Sequence, residues 1–95
     1  MRTIEISCAG VSSLDDFWQR YLDAVTPDGA SIFGRNLDAF WDAVEGGGPG
    51  WPGKTRLIFT HSSEVARLPH TDGTSFLEGL RYLANHVTNT RIELE

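Results

Sequence analysis

Two rhythms of apolar residues run along this chain. Leu14, Phe17, Trp18, Tyr21, Leu22 and Val25 recur at the three- and four-residue steps that line one face of a helix, and predict a first helix over about 13–25. Leu37, Phe40, Trp41 and Val44 repeat that spacing over 36–45. Phe76, Leu77, Leu80, Leu83, Ala84 and Val87 do so over 74–87. Elsewhere the rhythm shortens to two. Residues 2–7 alternate around Ile4 and Ile6, and 90–94 place Ile92 and Leu94 on one side, as strands do. Leu57-Ile58-Phe59 is a continuous apolar run, the mark of a buried strand over about 55–60. A short helical turn capped by Ser62 or Ser63 runs through Glu64 to Arg67 and ends at Pro69. Strands alternating with helices imply parallel pairing through right-handed crossovers. The expected fold class is therefore α/β, a three-stranded parallel sheet covered by three main helices and one short helix, in one domain of residues 1–95.

The polar positions sharpen this outline. Ser12 and Ser13 offer N-caps to the first helix, with Asp15 and Asp16 in its first turn. Asn36 is a good N-cap for the second, and Asp72-Gly73-Thr74 opens the last. Pro27-Asp28-Gly29 is a turn. Gly46 to Gly53 holds five glycines, two prolines and Trp51, which excludes helix and central strand. Trp51 either tucks back on the core or serves as an interface anchor.

On the second helix a second line runs beside the apolar one: Asp38, Asp42 and Glu45, at i, i+4 and i+7. Asp38 is favoured by the helix dipole. Asp42 is not explained in that way. Its neighbours at three and four residues are Ala39, Asp38, Glu45 and Gly46, none basic. Like charges at that spacing cost roughly 0.2–0.5 kcal/mol per pair. Two readings follow: a solvated polar face, or an anionic surface kept free because something cationic docks on it.

The residues Phe33-Gly34-Arg35-Asn36-Leu37-Asp38-Ala39-Phe40-Trp41-Asp42-Ala43-Val44 closely resemble a signature of the barstar family: aromatic-Gly-x-Asn-Leu-Asp-Ala-hydrophobic-Trp-Asp-Ala-hydrophobic. Those proteins are small intracellular inhibitors of secreted bacterial ribonucleases of the barnase type. The likeness extends more loosely over most of the chain, and the barstar fold has the architecture read above. The resemblance implies that at least one of Ile32 and Phe33, just before Gly34, faces the partner. Two departures stand out. Tyr82 and His86 occupy places where the family's last helix supplies glutamates, and Arg35 stands where an acidic residue is common. The glycine-rich loop is also longer than the family's usual one.

Composition narrows the function classes. Eight basic and thirteen acidic residues give a net charge of −5, which argues against nucleic acid or an anionic membrane as the main partner. A lone cysteine, Cys8, permits no internal disulfide and reads as a small buried side chain. No apolar run approaches the ~20 residues of a membrane span, and no signal peptide follows Met1-Arg2, so a reduced, cytoplasmic compartment is expected. His61, His70 and His86 lie on different elements without metal-ligand spacing. Neither catalytic residues, cofactor nor metal is expected.

The function expected is inhibition by a charged plug. A ribonuclease active site binds a phosphodiester and so presents positive charge, and a carboxylate on a rigid helix can occupy the phosphate's place. Asp42 is assigned that role and Asp38 a second charge-assisted contact. The expected partner-binding set is Phe33, Gly34, Asn36, Leu37, Asp38, Trp41, Asp42, Glu45, Gly46, Trp51 and Tyr82. The partner is a small, basic, secreted, guanyl-preferring ribonuclease bound 1:1 by a chain monomeric when free. Two alternatives remain: immunity against a different cationic toxin, or an acidic mimic that blocks a nucleic-acid-binding regulator.

Overall fold

Three parallel strands form the floor of the structure, in the order β1 (Arg2–Ser7), β2 (Thr55–Thr60), β3 (Arg91–Leu94). The computed structural model describes residues 2–68 and 75–95. Three helices stand on this floor: α1 (Leu14–Val25), α2 (Leu37–Gly46) and α3 (Phe76–His86). A short 3-10 helix, Ser62–Arg67, follows β2, and a single 3-10 turn, Ala30–Ile32, precedes α2. The α/β architecture read from the periodicities is the one observed. Pro69, His70 and Asp72-Gly73-Thr74 lie outside the described residues.

The strand register explains the layering. Ile6, Phe59 and Leu94 form one row across the sheet, and Ile4, Leu57 and Ile92 another. These rows point to the same face and join Phe17, Trp18, Tyr21, Phe40, Val44, Phe76 and Leu80 in one core. The intervening row is Glu5, Ile58 and Glu93, on the face away from the helices. There Arg56 pairs with Glu93, with Nη2 to Oε1 at 2.9 Å. Ile58 is buried but stands outside the main core, so the apolar run on β2 serves two different faces.

Trp18 is the hub of the aromatic packing. Its ring lies 4.9–6.4 Å from those of Phe17, Tyr21, Phe33, Phe40 and Phe76, all edge-on. The stripe Phe17-Trp18-Tyr21 is thus core and no ligand platform.

The caps form largely as expected. Ser13 Oγ accepts from Asp16 N–H at 3.0 Å, and Asp16 returns a bond to Ser12 N–H. Asn36 Oδ1 accepts from Ala39 N–H at 2.7 Å. Two corrections arise. The short helix is entered through His61 in the left-handed region, with no side-chain cap, while Ser62 Oγ donates to the Glu95 carbonyl. The last helix begins at Phe76 behind Ser75, whose Oγ accepts from Glu78 N–H at 3.1 Å.

The glycine-rich loop is pinned. Tyr21 hydroxyl donates to the Gly50 carbonyl at 2.8 Å, and Gly50 N–H donates to the Asp28 carbonyl at 3.1 Å. Gly50 has φ +92°, and a Cβ there would stand 2.7 Å from the Phe33 ring. Only glycine fits both demands.

Candidate functional site

The surface of α2 divides into three strips. Phe40, Ala43 and Val44 point into the core. Asp38, Asp42 and Gly46 form the exposed ridge, one helical turn apart. Between them, on one flank, lie the half-buried Leu37, Trp41 and Glu45. That flank faces α3, as both ends show. A Cβ on Gly79 of α3 would come 2.5 Å from Leu37 Cδ1, so glycine is what lets the two helices approach at the start of α2. At the other end Glu45 reaches the segment after α3. Its carboxylate accepts from Thr88 N–H at 2.7 Å, Thr88 hydroxyl at 2.7 Å and Asn89 N–H at 2.9 Å. The helices therefore run side by side in the same direction.

Glu45 accordingly leaves the acidic line. The Asn89 N–H, then the Thr88 hydroxyl and N–H, hold its carboxyl below the usual glutamate range. The expected line of three free carboxylates is a pair, because residue 45 lies about a sixth of a turn round the helix from 42, on the side toward α3. The carboxylates of Asp38 and Asp42 are exposed and have no hydrogen bond or ion pair among the described residues. Arg35, the nearest basic residue along the sequence, is turned elsewhere, toward Asp15 at 2.7 Å and Gln19 at 2.6 Å.

The approach to the helix is tightly built. Asn36 Nδ2 donates to the Gly34 carbonyl at 3.1 Å, and a Cβ on Gly34 would be 3.0 Å from Ala39 Cβ. Gly34 thus serves close approach, and the positive φ in this turn belongs to Arg35, at +52°. Asn36 spends both ends of its amide inside the turn. Of the two residues before Gly34, Phe33 is core, while Ile32 is 71% exposed. Phe33 is thereby corrected from a surface to a packing residue.

The ridge has apolar company. Ile32, Trp51 and Tyr82 are the exposed large hydrophobic side chains among the described residues. Ile32 precedes the N-terminus of α2. Tyr82 follows Gly79 on the α3 line that faces α2. Trp51 lies beyond its C-terminus, sharing a groove with Glu45, Gly46, Gly47 and Lys54. Gly48 packs against Asp42, and both Gly47 and Gly48 N–H donate to the Asp42 carbonyl. Of Ile32 and Phe33, at least one of which was expected to face the partner, Ile32 is the exposed one.

The family model for barstar (barnase inhibitor) matches residues 1–95. The chain belongs to the barstar family. A search of curated proteins found no match. Barstar-family members inhibit ribonucleases of the barnase type, and this chain carries the acidic helix in a fold of the expected architecture. No helix among its described residues is long and apolar enough to cross a membrane. Its Cys8 is fully buried, and burial pushes the thiol up to about 11.

Proposed function

We propose that the chain is a stoichiometric, non-enzymatic inhibitor of a small, basic, secreted ribonuclease, acting 1:1 through the α2 ridge. Asp42 takes the place of an RNA phosphate in the enzyme's cationic site, and Asp38 makes a second charge-assisted contact. The observation that carries this reading is the ridge itself: two carboxylates on a capped, rigid helix, exposed and without partners among the described residues. The dipole of α2 favours Asp38 in its first turn, but nothing among the described residues offsets the charge of Asp42, so its value lies in a partner's cations. Gly46 continues the ridge and leaves it bare. Trp41 and Leu37 brace it against α3, Gly34 and Asn36 fix its start, and Ile32, Tyr82 and Trp51 supply apolar contact around it, the arrangement of central charge and aromatic anchors found in tight interfaces.

The test is a titration of RNA cleavage against a panel of small guanyl-preferring ribonucleases. Cleavage by at least one should fall linearly to zero at one equivalent and recover with added salt. Undiminished cleavage throughout would move the reading to a different cationic toxin.

A further inference from the structure

We infer that Arg35 is a positioning residue for the ridge: its guanidinium, forked across Asp15 and Gln19 of α1, holds the turn into α2 in its binding form before a partner arrives. This rests on the inhibitory reading above and goes beyond it to the residue that prepares the site. Arg35 Nη1 donates to Asp15 Oδ1 at 2.7 Å, and Nη2 donates to Gln19 Oε1 at 2.6 Å. Both bonds are charge-assisted. Asp15 and Gln19 are exposed and stand four residues apart, one helical turn, on α1. A planar fork held at two points is fixed in direction as well as in distance. Gln19 is held in turn, for its Nε2 donates to Asp23 Oδ1 at 2.8 Å. A guanidinium only donates and a carboxylate only accepts, so one orientation of the Gln19 amide serves both neighbours. Asp15, Gln19 and Asp23 thus form a rail on α1 that grips one arginine.

The backbone at residue 35 argues for the worth of its side chain. Arg35 has φ +52°, in the left-handed region, where a Cβ is strained and glycine is not. Glycine would make this turn at lower cost to the backbone. Such strain persists only where the surroundings hold it, and here they are the two bonds to α1. The other ties of the turn act elsewhere. Phe33 is buried in the core just before it. The Asn36 amide bonds to the Gly34 carbonyl and the Ala39 N–H, inside the turn and its own helix. No other hydrogen bond among the described residues ties residues 34–36 to α1 or to the sheet. Asp38 opens the ridge three residues later, and with the guanidinium spent on α1 its carboxylate stays uncovered.

A turn ordered in advance spares the complex the cost of ordering it. If the freed turn holds the binding form about a tenth to a third of the time, affinity falls by the same factor, about three- to tenfold. An exposed ion pair adds little to global stability, so the unfolding temperature hardly moves. That separation distinguishes a positioning residue from a structural one.

Two variants remove the clamp from its two sides. Arg35→Asn tolerates the left-handed backbone and is too short to reach α1. Asp15→Ala with Gln19→Ala leaves Arg35 in place and puts a good helix former at both positions. Nitrogen relaxation on the free protein should give backbone order parameters near 0.85 for residues 34–36 in the wild type, falling toward about 0.6 in both variants. Against a ribonuclease that the wild type inhibits, each variant should bind about three- to tenfold more weakly, with an unfolding temperature close to the wild type's. The protein carrying all three substitutions should bind no more weakly than either variant, because both act on one clamp. Wild-type order parameters in the variants, full affinity in the α1 variant, or losses that multiply in the combined one would overturn the positioning role while wild-type inhibition stands. Absence of inhibition by the wild type would instead remove the inhibitory reading, and this role with it.

Discussion

Asp42 and Glu45 are three residues apart on one helix, carry the same charge, and do opposite things. Glu45 is spent within the molecule, where it closes the segment between α3 and β3. Its folded-state pKa is lowered, so its contribution to stability is fully present above the unfolded value near 4.5 and is lost as pH falls through the folded value. Glu45→Gln should therefore unfold at lower denaturant than the wild type at pH 7, with the gap closing below about pH 4; equal midpoints at pH 7 would contradict the assignment. Gly50 offers a second residue-scale test. Gly50→Ala meets both a left-handed backbone and the Phe33 ring, and should cost about 2 kcal/mol or more. Thermal unfolding should fall by roughly 8–16 °C in a chain of this size.

At the scale of elements, α2 depends on its first turn. Asn36→Ala removes the Oδ1 bond to Ala39 N–H and the Nδ2 bond to the Gly34 carbonyl, and should destabilise the protein by about 1 kcal/mol in denaturant unfolding. All three strands and all three main helices were legible in the sequence, because periodicity reports which face is buried whatever buries it. The stripe Phe17, Trp18, Tyr21, Leu22, Val25 became core without change. Contacts between elements were less legible. Glu45 read as part of an acidic line because spacing alone does not reveal Thr88 and Asn89, far along the chain. Phe33 and Ile32 are adjacent, and contacts with Trp18, Tyr21 and Gly50, distant in the chain, hold Phe33 inward. The loop of Trp51 likewise depends on a distant residue, Tyr21, which pins it.

The whole molecule carries a net charge of −5, with the carboxylates of Asp38 and Asp42 exposed on one ridge and unpaired among the described residues. Such a field attracts a basic enzyme before contact. The association rate measured by stopped flow should fall roughly tenfold or more between about 0.01 and 0.15 M salt, while a rate indifferent to salt would deny the ridge a steering role. Steering and docking differ in what they ask of Asp42. A steering charge alters encounter, whereas a carboxylate lodged in a cationic site governs escape. The decisive measurement is thus dissociation of the ribonuclease complex for Asp42→Ala, made beside thermal unfolding of the free variant. The account predicts an affinity loss of about 2–5 kcal/mol, mostly as faster dissociation, with the unfolding temperature unchanged. Unaltered dissociation, or a variant that unfolds well below the wild type, would contradict it.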